Sequence, residues 1–88
     1  MINKDGKKVR FTFDEDSQNQ VYVVGDFNSW DNSATPLAKK KGKWTAELKL
    51  KPGEYQFKYY TNGNWYNDHC ADKYASNNLG TDNSVVVV

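Results

Sequence analysis

The sequence predicts an all-β fold, an antiparallel β-sandwich, on three observations. Apolar residues recur with a period of two, as in Val9, Phe11 and Phe13 or Trp44, Ala46, Leu48 and Leu50. That is the spacing of a strand with one face buried. The candidate strands are short and separated by turn chemistry at near-regular intervals. No stretch carries the apolar stripe of a helix.

Val9 to Phe13 forms the first strand, with Arg10 and Thr12 on the opposite phase, and Asp14-Glu15-Asp16-Ser17-Gln18-Asn19 is a polar turn. Val21-Tyr22-Val23-Val24 is a continuous apolar run and reads as a buried second strand. The loop after it carries Gly25, an Asn/Ser/Asp cluster around Trp30, and Pro36. Trp44 to Leu50 alternates and gives the third strand. Lys51-Pro52-Gly53-Glu54 is a strong turn signal. Tyr55, Phe57 and Tyr59 alternate with Gln56, Lys58 and Tyr60 in a fourth strand. Asn62-Gly63 is the best short hairpin signal, so Trp65 and Tyr66 begin a return strand. Residues 67–83 read as irregular. Ser84 to Val88 forms the last strand, and its unbroken valines predict cover on both faces.

A chain of 88 residues is expected to form one domain, residues 1–88, burying roughly 60–65% of its unfolded surface. Only 38% of residues are hydrophobic, but 15% are aromatic, and each aromatic buries a large area. The net charge of +1 supplies no field toward nucleic acid or an anionic membrane. Neither is expected as a partner, and no apolar run approaches the roughly 20 residues that span a bilayer. A lone cysteine, Cys70, cannot form an internal disulfide, which suits a cytoplasmic location.

Catalytic chemistry finds little support. His69 and Cys70 are adjacent, so on an extended chain they point to opposite faces, and a metal site would need further imidazole or thiolate ligands. Asp26, Asp31, Asp68, Asp72 and Asp82 all fall in turn-like segments, where aspartate serves hydrogen bonding. No Gly-rich phosphate cradle is present. The expectation is a non-enzyme without a cofactor. Lys39-Lys40-Lys41 with Lys43 reads as a solvated turn rather than a nucleic-acid track, which would interleave exposed aromatics.

The tryptophans separate into two kinds. Trp44 shares the apolar phase of its strand and reads as core. Trp30 sits in a polar loop and Trp65 just past a hairpin tip. Two such indoles beside polar side chains suit a sugar ring, whose C–H face is apolar and whose rim is hydroxylated. The residues alone leave open a structural or protein-contact sandwich with no sugar.

Three segments in order, VYVVGDFNSWD, GKWTAELKLKPGEYQFKYYTNGNWYND and NNLGTDNSVVVV, resemble the glycogen-binding modules of carbohydrate-binding family 48. These early-set, immunoglobulin-like sandwiches of isoamylase N-terminal type occur in branching and debranching enzymes and in the β subunit of AMP-activated protein kinase. The resemblance covers roughly residues 9–88. It implies an α-1,4-linked glucan (glycogen, starch or a maltooligosaccharide) as partner, and a glycogen-metabolising enzyme or kinase if the module belongs to a larger assembly. It implies stacking by Trp30 and Trp65, hydroxyl contacts by Lys58, Thr81 and Asn83, and insertion of Leu79 into a curved glucan. The chain departs from the family at Asn67-Asp68-His69-Cys70, where many members have Asp-Pro.

Overall fold

The computed structural model describes residues 1–15, 17–77 and 80–88. Among these, nine strands form two antiparallel sheets packed as a sandwich. The first sheet has the order β1 (Ile2–Asp5), β2 (Lys8–Phe13), β5 (Lys43–Lys49), β4 (Ala38–Lys40). The second has the order β3 (Val21–Gly25), β6 (Glu54–Thr61), β9 (Asp82–Val87), β8 (Lys73–Ser76), and the short β7 (Asn64–Tyr66) also pairs with β6.

The alternation seen in sequence sets which face each residue takes. Val9, Phe11 and Phe13 of β2 point inward and meet Val21, Val23, Phe57, Tyr59 and Val86 of the second sheet in one buried cluster. Each such side chain contributes about 1.5–3 kcal/mol on full burial. Phe11 meets Phe57 edge-on at 5.0 Å, and Phe57 meets Tyr59 edge-on at 5.7 Å, the geometry favoured by ring quadrupoles. Trp44 packs against this cluster from the partly buried layer, and its Nε1–H donates to the Ser17 carbonyl at 3.2 Å.

β6 organises the second sheet. Its C-terminal half pairs with β3 on one side and β7 on the other, and its N-terminal half pairs with β9. The register puts Gln56 opposite Val85, Lys58 opposite Val24, and Tyr60 opposite both Tyr22 and Trp65. Strand side chains alternate, so these residues share the outer face of that sheet.

Several segments differ from the sequence reading. β1, β4 and β8 form where it gave no strand. All three lie at sheet edges, and their side chains are largely polar and exposed. Edge pairing comes from backbone hydrogen bonds, and edge strands commonly carry lysine, so no apolar alternation marks them. Lys39 and Lys40 accordingly belong to β4, while Lys41 and Gly42, both at positive φ, make the turn. A short 3₁₀ turn, Asp26–Asn28, follows β3. The four terminal valines are not uniformly covered: Val85 and Val86 are buried, whereas Val87 is 38% exposed. No helix among the described residues is long and apolar enough to cross a membrane.

Candidate functional site

The loop after β3 is built to hold Trp30 in place. Gly25 is extended, with φ of −175°, so its need is for space rather than unusual dihedrals. A Cβ there would stand 2.3 Å from the Gln56 carbonyl oxygen and 2.8 Å from the Phe57 Cβ. The Asn28 carboxamide closes the turn: its Oδ1 accepts from the Gly25 N–H, and its Nδ2 donates to the Val23 carbonyl and Thr35 Oγ1, each at 3.0 Å. Phe27 anchors the turn to the interior, 5.4 Å from Phe11 and 6.3 Å from Tyr55. Ser29 and Trp30 then take left-handed backbone, both at φ 58°. The Trp30 N–H returns to the Gly25 carbonyl at 2.9 Å.

The Trp30 ring is held as firmly as its backbone. Nε1–H donates to Asp26 Oδ1 at 2.9 Å, and Asp26 Oδ2 accepts the Gln56 backbone N–H at 2.8 Å. One carboxylate thus ties the loop indole to the central strand of the sheet. Beyond it, Asp31 accepts from the Ser33 N–H and hydroxyl, which hold its carboxyl below the usual carboxylate range.

Trp65 reaches the same face by a different route. Asn62 and Gly63 at the β6–β7 tip both have positive φ, as a two-residue hairpin turn requires. The return strand sets Trp65 opposite Tyr60, with ring centroids 4.6 Å apart and planes tilted by 49°. Trp65 remains 45% exposed, whereas Trp30 is half-buried.

Between the indoles lies an open groove of about 500 Å³, lined by Trp30, Lys58, Trp65, Asn77, Thr81 and Asn83. Lys58 projects from the outer phase of β6 and makes no hydrogen bond or ion pair among the described residues. Thr81 and Asn83 come from the turn into β9 and from that strand. The Asn77 Nδ2 donates to Thr81 Oγ1 at 2.7 Å and to Asn83 Oδ1 at 3.0 Å, while Asn77 Oδ1 accepts the Thr81 N–H at 3.2 Å. The Asn83 Nδ2 in turn donates to Gln56 Oε1 at 2.9 Å.

Five residues singled out in the sequence, Trp30, Lys58, Trp65, Thr81 and Asn83, therefore line one groove. Leu79 lies outside the described residues. Not foreseen from the sequence are Asn77 in the lining, and Gln56 and Asp26 as the partners that hold Asn83 and Trp30. Asn77 fell in the stretch read as irregular, and an Asn–Thr pair four residues apart carries no signal until the two residues meet. Gln56 shared the outward phase of Lys58, which was the available clue.

The aspartates considered for catalysis have other positions. Asp26 serves Trp30 and Gln56 as described. Asp68 is 2% exposed; it accepts the Tyr59 hydroxyl at 2.6 Å and the Cys70 N–H at 2.7 Å, and its own N–H donates to Ser84 Oγ at 2.8 Å. Asp72 accepts from Lys4 Nζ and the Val87 N–H, each at 2.7 Å. Burial alone would raise its pKa, but those two bonds and the Lys4 charge outweigh it and hold it low. No carboxylate lines the groove among the described residues. Nor does any group of three or more His, Cys, Asp and Glu among them stand ready to hold a metal ion.

A two-sheet sandwich with this motif order is a carbohydrate-binding module of the family 48 type. More narrowly, the chain belongs to the family described as the glycogen recognition site of AMP-activated protein kinase, whose model matches residues 7–88. Over 69 residues it is 36% identical to the 5'-AMP-activated protein kinase subunit beta-1 of Bos taurus and 35% identical to that of Homo sapiens. It is 33% identical to subunit beta-2 of Mus musculus over the same length. Each match covers 78% of this chain, but only 24% of those beta-1 subunits and 25% of the beta-2 subunit. The chain thus spans about a quarter of the length of these relatives.

Proposed function

We propose that this chain is a non-catalytic module that binds α-1,4-linked glucans such as glycogen, starch and maltooligosaccharides. Trp30 and Trp65 stack on the C–H faces of glucose units. Lys58, Thr81 and Asn83 take hydroxyl groups, and Leu79 packs against the apolar inside of the curved chain. The observation that carries this reading is the groove itself, where an indole from a loop and one from β7 flank hydroxyl and amide groups and a lysine with no partner among the described residues. By analogy with base stacking, each ring contributes about 1–3 kcal/mol. After the cost of association, that gives roughly micromolar to millimolar affinity, which repeated sites on a polymer raise by avidity.

A structural sandwich without sugar would have its indoles buried or on different faces. Trp65 is 45% exposed and shares a groove with Trp30, which favours the glucan. The relatives are named as kinase subunits, so a kinase assembly is the proposed protein partner when the module sits in a longer chain. A cytoplasmic location accords with a glycogen ligand.

The test is electrophoretic retardation in a native gel containing glycogen. The folded protein should be held back, and Trp30→Ala and Trp65→Ala should each migrate close to their glycogen-free positions. A folded wild type that runs unretarded would sink the proposal.

A further inference from the structure

One wall of the groove carries its own directional logic. The Thr81 backbone N–H can only donate, so the Asn77 atom facing it must be the carbonyl oxygen. The Asn77 NH₂ is then committed to Thr81 Oγ1 and Asn83 Oδ1. With its carbonyl accepting, Asn83 must turn its NH₂ to Gln56 Oε1. A single backbone N–H thereby sets the orientation of three carboxamides in sequence. The chain continues through the Gln56 backbone N–H to Asp26 and on to the Trp30 indole. Hydrogen bonds, joined through the covalent frame of Gln56, thus link the loop tryptophan to Asn77 and Thr81.

We infer that Asn77 is the positioning residue of the site, and that it makes this wall a donor surface selecting ligand edges that present acceptor oxygens. Thr81 Oγ1 already accepts from Asn77, which frees its hydroxyl hydrogen to point into the groove. Behind the lining, Gln56 Oε1 is occupied by Asn83, and the Gln56 NH₂ has no partner among the described residues. Lys58 Nζ can only donate. Ring, glycosidic or hydroxyl oxygens that offer lone pairs therefore satisfy the wall, whereas a ligand edge of donors meets none of its needs. The inference rests on the glucan reading and adds to it the polarity with which a sugar rim is read.

The experiment is calorimetric titration with maltoheptaose of the wild type, Asn77→Asp, Thr81→Val and the double variant. Aspartate keeps the acceptor for the Thr81 N–H but cannot donate, so the Thr81 hydroxyl turns to the new carboxylate and is lost to the ligand. Asn77→Asp should weaken binding about tenfold and Thr81→Val about fivefold, with the double variant within about twofold of Asn77→Asp alone. Independent losses that multiply, or wild-type affinity in Asn77→Asp, would overturn the inference while leaving glucan binding in place. A wild type that does not bind would remove both. A second measurement needs neither variant nor ligand. In wild-type protein, the NH₂ protons of Asn77 and Asn83 should exchange with water more slowly than those of the exposed Asn32. Equal rates would overturn the orientation chain whether or not the variants fold.

Discussion

Replacing Gly25 with alanine tests the link between sheet packing and the groove. The added Cβ would stand 2.3 Å from the Gln56 carbonyl oxygen, 2.8 Å from the Phe57 Cβ and 2.9 Å from the Phe57 Cα. All three neighbours belong to β6, the central strand of its sheet, and backbone atoms cannot swing aside as a side-chain end can. Relief needs a separation of about 1 Å between β3 and β6, and overpacking of this kind costs about 1–3 kcal/mol or more. An 88-residue domain holds about 4–13 kcal/mol in total. At about 4–8 °C per kcal/mol, a cost of about 2–3 kcal/mol lowers Tm by roughly 8–24 °C. Thermal unfolding followed by circular dichroism reads this directly. Gly42→Ala is the control: its φ is +82° and a Cβ there meets nothing within 4 Å, so only the dihedral penalty of about 1–2 kcal/mol remains. A Gly25→Ala protein whose Tm falls no further than that of Gly42→Ala would refute the steric reasoning. The surviving folded fraction should also lose retardation by glycogen, because Gly25 carries the turn that presents Trp30.

Further outcomes follow from the same geometry. Asn28→Ala removes three hydrogen bonds that close the Trp30 turn; at about 0.5–1.5 kcal/mol each it should cost about 2–4 kcal/mol in urea denaturation and weaken maltoheptaose binding. Trp44→Phe should lower stability by about 1–2 kcal/mol, since it packs on the core and bonds Ser17, and should leave glycogen retardation unchanged. Burial, with the Asp68 charge and hydrogen bond beside it, pushes the Tyr59 phenol far above its ordinary value. Above about pH 10 the unfolded chain ionises this phenol and the folded one does not. Stability is therefore full below that pH and falls by about 1.4 kcal/mol per pH unit above it. Phenolate absorbance at alkaline pH should show one of the six tyrosines ionising only as far-ultraviolet dichroism is lost, and ionisation of all six in a native-like protein would contradict this.

The interior of the fold was legible because burial imposes alternation. Val9, Phe11, Phe13, Phe57 and Tyr59 announce their strands by facing one core. The edges were not legible. Ala38–Lys40 and Lys73–Ser76 pair through backbone groups common to every sequence, and their side chains face water. In the groove, Trp30 and Trp65 stood out because each breaks a local rule, an indole among turn formers, and such breaks mark surfaces with work to do. Lys58 was marked by the family resemblance, and strand phase agreed in turning it outward. The Asn77–Asn83–Gln56 path did not, because it joins three segments that meet only once β6, β8 and β9 have paired. The family motif pointed to Thr81 and Asn83 but gave no account of what orients them.

If Trp30 and Trp65 together hold a glucan, both indoles must sense its arrival. The most direct measurement is the indole N–H nuclear magnetic resonance spectrum, titrated with maltoheptaose. Three indole signals are available, from Trp30, Trp44 and Trp65. The Trp30 and Trp65 signals should shift together along one saturable isotherm in the micromolar to millimolar range while Trp44 stays in place. Three static signals at millimolar ligand, or a shift confined to Trp44, would contradict it.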